Sequence, residues 1–278
     1  MRNTGSLKSS GKSTREIVTD VRLTRKETEK MQEFQITIID TAIRYWPLLL
    51  SGFWVTLKLA AIITVVSTVI GTILALIKMS NFKWASFLVT AYVEIVRGTP
   101  PLLQLFIVFY TAPSIGIVLD AEVAAIVALG GYGSAFTCEI VRAGLLGVPV
   151  GQLEAGRSLG MKGPSLYRWV ILPQAFRLIV PPMTSQVILN LKGTSLALTI
   201  TVGELMFRAY EGANNTFRPG DFYLLAGMLY LCVSIPLSRL AKRFELDNLA
   251  GGEAASGGKP KSSRARARQR RGVSAASE

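Results

Sequence analysis

The residues that could do chemistry gather most densely between positions 151 and 173. That segment holds one carboxylate among glycines and cations, and it reads Gly151-Gln152-Leu-Glu154-Ala155-Gly156-Arg-Ser-Leu-Gly160, then Met-Lys-Gly-Pro164, and ends at Leu172-Pro173. Glycine ends helices and proline opens them, so the spacing predicts a short helix over residues 152–159 and a second one starting at Pro164. Two short, basic, amphipathic helices indicate either a docking elbow or a loop lying at a membrane interface. The chain contains no histidine, which excludes a His-dependent catalytic triad and a His-ligated metal site.

Polar residues also stand beside a predicted break inside an apolar run. Glu94 and Arg97 are three residues apart, on one helical face, and we expect them to pair while facing protein rather than lipid. Gly98 and the pair Pro100-Pro101 then interrupt the helix. Inside a bilayer such a break is tolerated only where neighbours or water satisfy the freed backbone groups. The pattern indicates a translocation path or a hinge, with a kinked packing helix as the alternative.

Of all residues in the apolar runs, Lys192 would cost the most free energy to place inside a membrane. If Pro181 and Pro182 open a membrane span, Lys192 falls halfway along it. A cation at that depth costs on the order of 3 kcal/mol on insertion scales. We therefore expect Lys192 to line a translocation path, or else to tether helices together.

The elements that must position these residues are membrane spans. Half of the 278 residues are hydrophobic and 18% are charged, yet the formal net charge is +13, because charges gather in the ends and loops between long charge-free runs. A helix needs about 20 residues to cross a hydrocarbon core of roughly 30 Å. The runs predict an all-α polytopic membrane protein with five transmembrane helices, over residues 54–77, 98–118, 121–141, 182–202 and 222–241. An ordinary soluble domain, a disordered chain and a disulfide scaffold are disfavoured.

Lysine and arginine bias sets the orientation of these spans. The 78–84 and 142–177 loops have a net positive charge, whereas the 112–120 and 203–221 loops have a net negative charge. The two groups alternate, which predicts a cytoplasmic C-terminus and an external N-terminus. A transmembrane domain over residues 46–243 would then lie between an N-terminal tail (1–45) and a disordered, basic cytoplasmic tail (244–278).

Both tails carry features that need an interpretation. Residues 1–30 hold eight Lys/Arg, which disagrees with an external location, so we hypothesise that Met31 is the physiological start. A segment at residues 5–13 resembles a phosphate loop, but five residues rather than four separate its glycines and no strand precedes it. The basic run at residues 264–271 could touch nucleic acid or anionic lipid, and we favour a solvated tail that fixes topology.

In combination, several motifs are similar to one family. Glu154-Ala155, Gly160, Val170 and Leu172-Pro173 resemble the EAA signature of permease subunits of bacterial ABC importers. The polar amino acid branch of that family is resembled by further stretches: Arg97-Gly98-Thr99-Pro100 with Leu103-Gln104-Leu105-Phe106, Gly151-Gln152, Pro173-Gln174-Ala175-Phe176-Arg177 and Asn190-Leu191-Lys192-Gly193-Thr194-Ser195-Leu196. The likeness spans about residues 44–245. One departure is Gly156, where the signature usually has a second alanine, and because glycine costs up to about 1 kcal/mol in a helix we expect a looser elbow.

The resemblance implies a non-enzymatic five-helix permease that works with separate subunits. These would be a second permease chain, identical or related, a cytoplasmic ATPase pair that uses ATP and Mg²⁺, and an extracytoplasmic amino-acid-binding protein, with no cofactor on this chain and no nucleic acid partner. Implied ATPase-coupling residues are Gly151, Gln152, Glu154, Ala155, Gly156, Gly160, Leu172 and Pro173. Candidates for the translocation path or its gate are Glu94, Arg97, Gly98, Thr99, Pro100, Gln104, Glu139, Lys192, Thr194 and Ser195.

Three other functions compete with this one. A permease for another polar solute is the nearest alternative. An ion-coupled secondary transporter would use buried Glu and Lys residues, but such transporters usually hold both structural repeats in one chain. A membrane-embedded enzyme has little support, because we find neither histidine nor a cluster of polar residues within the spans.

Overall fold

The computed structural model of the protein describes the backbone of residues 14–255 and the side chains of residues 38–243. Regular structure in that part of the chain is entirely helical. The α-helices are α1 (Thr14–Lys78), α2 (Lys83–Gly98), α3 (Pro101–Phe106), α4 (Ala121–Leu146), α5 (Val150–Ser158), α6 (Gly163–Leu166), α7 (Leu172–Gly193), α8 (Leu205–Thr216) and α9 (Pro219–Ala255). The phosphate-loop-like segment at residues 5–13 and the basic run at 264–271 lie outside the described residues.

Three helical segments are long and apolar enough to cross a membrane: Ile38–Lys78 of α1, Ala121–Leu146 and Pro219–Arg243 of α9. A fourth is the pair Lys83–Gly98 and Pro101–Ile115, which is bent by 107°. By length and composition, the described chain therefore holds three candidate spans, or four if the bent pair is one. The predicted second span begins at residue 98, but its apolar helix already starts at Lys83, and the predicted start is the break.

The fourth predicted span differs most from the structure. It begins at Pro182, whereas α7 starts at Leu172, passes through both prolines and ends at Gly193. Residues 194–200 continue as a 3₁₀ helix. α7 is not among the segments apolar enough to cross alone, since it carries glutamine, asparagine and cationic side chains. The five-span count stays a prediction.

α1 and α4 pack closely because small residues stand at their crossing. A Cβ at Gly71 would lie 2.5 Å from Thr137 Cβ, and one at Gly133 would lie 2.9 Å from Ser67 Cβ. Small residues let helix backbones approach in this way, which is how helices associate in lipid. The α1–α4 pair forms the frame against which the other helices pack.

α8 and α9 complete the described chain on a second apolar cluster. Phe222 of α9 is fully buried there, with Leu49 of α1 and Leu205 of α8. α9 continues to Ala255, and the disorder of the tail over residues 244–278 stays a prediction.

Candidate functional site: the elbow and the central cavity

Residues 150–171, which we call the elbow, form α5, α6 and a π-helical turn at Tyr167–Ile171. α5 is followed by Gly160, whose φ of +76° is a left-handed conformation that glycine adopts without strain. The Gly160 amide donates to the carbonyl of Arg157 at 2.9 Å and so closes the helix. Pro164 lies in the first turn of α6. Both predicted short helices are therefore present.

Gly156 is the one buried residue of α5. A Cβ there would collide with Cδ1 of Leu166, and it would approach the Met161 sulfur to 3.6 Å. Glycine at position 156, where the EAA signature usually has alanine, therefore lets α5 and α6 pack closely. Close packing of the two helices opposes the poor helix propensity of glycine, and the looser elbow stays a prediction.

The other residues assigned to ATPase coupling on α5 face outward. Gly151, Gln152, Glu154 and Ala155 lie at its surface, with Glu154 exposed. The Glu154 carboxylate has no ion pair among the described residues. An unpaired carboxylate on an exposed helix is available to a partner protein.

Gln174 connects the elbow to α7. Its amide nitrogen donates to Oε1 of Gln152 at 3.3 Å and to the carbonyl of Val170 at 3.0 Å. Leu172 and Pro173 form the first turn of α7 and are exposed. Movement of α5 would therefore reach α7 through one side-chain bond and through its packing against α6, which runs on into α7 without a break.

Glu139 lies in an ion network at the same end of the molecule. Its carboxylate accepts from Lys78 Nζ at 2.7 Å and from Arg142 Nη2 and Nε at 2.8 and 3.0 Å. Glu139 is half-buried and joins the end of α1 to α4. The structure places it away from the central cavity described below, as a connection between helices.

The predicted ion pair between Glu94 and Arg97 is absent from the described residues, and both side chains are exposed. The Arg97 guanidinium lies instead 5.2 Å from the ring centroid of Phe136 on α4. A cation over an aromatic face gains electrostatic energy without an acid. Sequence spacing alone could not reveal this partner.

The predicted helix break is confirmed at residues 98–100, between α2 and α3. Gln104 satisfies the freed backbone: its amide nitrogen donates to the carbonyl of Val96 at 2.8 Å and to the Thr99 hydroxyl at 2.8 Å. The same hydroxyl donates to the carbonyl of Ile95 at 2.9 Å. We call residues 95–104 the hinge. Irregular backbone inside a membrane needs hydrogen-bond partners, and the polar side chains of the hinge supply them.

A cavity of about 360 Å³, which we call the central cavity, lies among α1, α3, α4 and α7. Its lining residues are Ile63, Pro101, Leu129, Tyr132, Phe136, Gln186, Leu189, Asn190, Lys192, Gly193, Ser195 and Leu196. Cavities from about 300 Å³ upward hold small-molecule ligands. Lys192 and Ser195 were picked out by sequence; the aromatic and amide walls were missed.

The amide wall corrects the expectation that no polar cluster lies within the spans. Gln186 Nε2 donates to Oδ1 of Asn190 at 3.0 Å, and Asn190 Nδ2 donates to the hydroxyls of Thr64 and Ser67 at 3.3 Å each. Gln186 and Asn190 are buried and four residues apart, on one face of α7. Two amide residues four positions apart within an apolar run are the sequence signal that could have predicted this polar cluster.

Lys192 lies in the last turn of α7, and its side chain is exposed. The two candidate hydroxyls that follow are used locally. Thr194 donates to the carbonyl of Leu191 and Ser195 to that of Lys192, both at 2.8 Å. Thr194 is fully buried, so only Ser195 and Lys192 of this group reach the central cavity.

Glu204, which sequence reasoning missed, lies fully buried at the start of α8. Its carboxylate accepts from the amide of Phe207 at 2.7 Å and from the hydroxyls of Tyr230 and Thr56 at 3.0 and 3.3 Å. Burial raises the pKa of the Glu204 carboxyl above its usual value of 4.5, and these hydrogen bonds oppose that rise. Glu204 thereby joins α1, α8 and α9 through one titratable group.

Comparison with known sequences places this geometry in a family. Residues 67–247 match the model of the binding-protein-dependent transport system inner membrane component. The L-cystine transport system permease protein TcyB of Bacillus subtilis is 38% identical over 195 residues, which cover 70% of this chain and 83% of that protein. The probable glutamine ABC transporter permease protein GlnP of the same organism is 38% identical over 199 residues, covering 70% and 91%. The octopine transport system permease protein OccM of Rhizobium meliloti is 37% identical over 201 residues, covering 69% and 82%.

Solved structures agree with these sequence relatives. An amino acid ABC transporter crystallised with histidines matches with a TM-score of 0.71 at 33% identity, covering 74% of this chain and 97% of that one. An inward-facing form of the MetNI methionine ABC transporter shares the fold, with a TM-score of 0.59 at 23% identity over 72% of this chain and 98% of that one. The chain therefore belongs to the binding-protein-dependent transport system inner membrane components, the permease family of ABC importers.

Proposed function

We propose that this chain is the permease subunit of an ATP-driven importer that carries polar amino acids across the bacterial cytoplasmic membrane. The relatives named for L-cystine, glutamine and octopine transport support this substrate class. ATP and Mg²⁺ are used by a separate ATPase subunit, and this chain is not itself an enzyme.

The observation that carries the proposal is the exposed α5 joined to α7 through Gln152 and Gln174. α5 would insert into a cleft of the ATPase, with Glu154 as its charged contact. α7 would then pass the movement to the central cavity at its other end. The coupling group is Gly151, Gln152, Glu154, Ala155, Gly156, Gly160, Leu172 and Pro173.

The central cavity supplies chemistry suited to a zwitterion. We infer that the Lys192 ammonium receives the carboxylate of the solute, because a charge-assisted hydrogen bond is the strongest contact available there. Ser195 and the amides of Gln186 and Asn190 would complete the polar contacts. Tyr132 and Phe136 would exclude water from the apolar side.

The remaining candidate residues divide into a gate and a scaffold. Arg97, Gly98, Thr99, Pro100 and Gln104 are half of the hinge residues, and Pro101, which also lies in the hinge, lines the cavity. Bending there would open or close the cavity. Glu139 and Thr194 would act on the path only by holding helices in place, whereas Glu94 is exposed and has no such contact among the described residues.

The proposed topology has five spans, with α7 as the crossing that its composition alone does not reveal. The N-terminus would be external and the C-terminus cytoplasmic, which puts the elbow in the cytoplasm with the ATPase. The opposite side would receive an extracytoplasmic binding protein, and a second permease subunit would complete the path.

Reconstitution tests the proposal. The chain is placed in vesicles with its ATPase and binding protein, and uptake of radiolabelled cystine, glutamine and arginine is measured. ATP-dependent uptake of at least one is expected. Uptake that ignores ATP but follows a proton or sodium gradient would establish a secondary transporter instead, and ATP-dependent uptake of only a different solute would change the substrate class.

A further inference from the structure

The connection between the elbow and α7 exposes a stripe of large apolar side chains. Trp169, Leu172 and Phe176 are 69%, 50% and 68% exposed. Leu172 and Phe176 follow Trp169 by three and seven residues, so the three side chains share one helical face. Ile171 and Ala175, on the opposite face, are buried at 7% and 0% exposure. This face, which we call the aromatic stripe, is largely exposed in the part of the chain that the structure describes.

Cations accompany the aromatic stripe. The Arg168 guanidinium lies 5.5 Å from the ring centroid of Trp169. Lys162 and Arg168 are exposed, and residues 155–177 contain four Lys/Arg and no acid. A surface with exposed aromatics beside positive charge matches the boundary between anionic headgroups and acyl chains.

We propose that the aromatic stripe and Arg168 bind anionic phospholipid at the cytoplasmic surface of the membrane. The Trp169 ring lies at headgroup depth, Phe176 reaches the acyl chains, and the Arg168 guanidinium holds a headgroup phosphate. A planar guanidinium can offer two parallel hydrogen bonds to a phosphate while its other face stays on the indole ring. This proposal rests on the proposed function only in placing the elbow on the cytoplasmic side.

The lipid contact would set the height of the elbow at the membrane surface. The stripe runs directly into the first turn of α7, which also carries Leu172 and Pro173 of the coupling group. α5 is left with its polar, exposed residues for the ATPase. This region would thus have two partners: a protein on α5, and lipid on the π-helical turn and the start of α7.

Brominated lipids report which partner covers Trp169. In the assembled transporter in vesicles, Trp46, Trp54 and Trp84 are replaced by Phe, and a matched blank also carries Trp169→Phe. The difference in fluorescence between the two belongs to Trp169 even when the ATPase contains tryptophan. We expect acyl-chain bromine to quench most of this signal and aqueous iodide to quench little. Quenching by iodide alone, or by neither reagent, would overturn the proposal in favour of water or of a protein partner.

Phe217→Trp in the blank background calibrates the measurement, because Phe217 is 91% exposed in the α8–α9 connection. That position should respond to iodide and not to bromine. The fluorescence readout needs no transport, so it separates failure of the lipid site from failure of the proposed function.

A second arm tests the anionic headgroup. ATP-dependent uptake is measured in vesicles of phosphatidylcholine with rising fractions of phosphatidylglycerol. One cation near a membrane surface contributes a factor of about five in affinity for anionic lipid. Arg168→Gln should therefore raise the half-saturating fraction about fivefold, and Arg168→Lys should restore part of the loss. Arg218→Gln, the same charge change outside the elbow, should leave the fraction unchanged. An Arg168→Gln variant with an unaltered lipid dependence would contradict the headgroup contact.

Discussion

The elbow and the central cavity, which α7 connects, treat their polar side chains in opposite ways. The elbow keeps its charged side chain, Glu154, exposed and unpaired, and α5 buries only a glycine. The cavity does the reverse, since its amides are buried and bonded to each other. An exposed, unpaired group can meet a large partner, whereas a satisfied buried network can hold only a small solute. The contrast supports our proposal that energy input and solute binding occur at opposite ends of α7.

Charge reversal on the elbow should have the largest effect. Glu154→Lys places a cation where the proposed ATPase cleft receives a carboxylate, so uptake and co-purification of the ATPase should both be abolished. Membrane insertion should persist, because the side chain is exposed. Glu211→Lys, the same change on α8, should retain the ATPase. If the Glu154→Lys variant still co-purifies with the ATPase, Glu154 does not contribute to ATPase binding.

Loss of the amide network should damage the cavity. Asn190→Leu leaves Gln186, Thr64 and Ser67 with unmet hydrogen bonds, which should lower the free energy of unfolding by about 1–3 kcal/mol. Asn214→Leu, at an exposed position of α8, should change it by less than about 0.5 kcal/mol. Thermal or denaturant unfolding in detergent measures both. Equal effects of the two variants would show that the network contributes nothing.

Lys192→Met tests solute binding rather than stability. Because the side chain is exposed in the single chain and lines the cavity, folding should be unaffected. The KM for uptake should rise about tenfold, equivalent to about 1.4 kcal/mol. Lys83→Met, far along the chain from the cavity lining, serves as the control. An unchanged KM would mean that Lys192 has no solute contact.

Gly156→Ala probes the packing inside the elbow. The added methyl collides with Leu166 and separates α5 from α6, and overpacking of this kind costs about 1–3 kcal/mol. Uptake should fall severalfold, while Gly163→Ala, a change in the same elbow where a Cβ meets nothing within 4 Å, should preserve it. The double variant with Leu166→Val, which shortens the colliding side chain without emptying the buried site, should recover part of the activity. Failure to recover would place the cause elsewhere than in this contact.

The smallest expected effect is a pH dependence of stability through Glu204. Its pKa is raised above 4.5 by burial, so the folded state holds the proton more tightly than the unfolded state. The stabilisation is complete below pH 4.5 and is lost as the pH rises through the folded pKa. The melting temperature in detergent should fall across that window, and Glu204→Gln should flatten the slope. A slope unaltered by the substitution would assign it to other groups.

The sequence could predict the elbow closely because its signals are local. Gly160 and Pro164 mark helix ends within a few residues, and Glu154 stands in a contiguous motif. The reason for Gly156 was not available, since it depends on packing against Leu166. The cavity draws on α1, α4 and α7, so its walls depend on long-range packing that no spacing rule gives. Arg97 shows the same limit, because Phe136 rather than the nearby Glu94 receives it.

We propose above all that the exposed elbow binds a separate ATPase subunit. Crosslinking from position 154 tests this most directly. A photoreactive amino acid replaces Glu154, which is exposed on α5, in the assembled transporter. We expect a light-dependent covalent product with the ATPase, and none with the ATPase from the same probe at Phe217. A product with the extracytoplasmic binding protein, or labelling of position 154 by a membrane-impermeant reagent from outside, would contradict the claim.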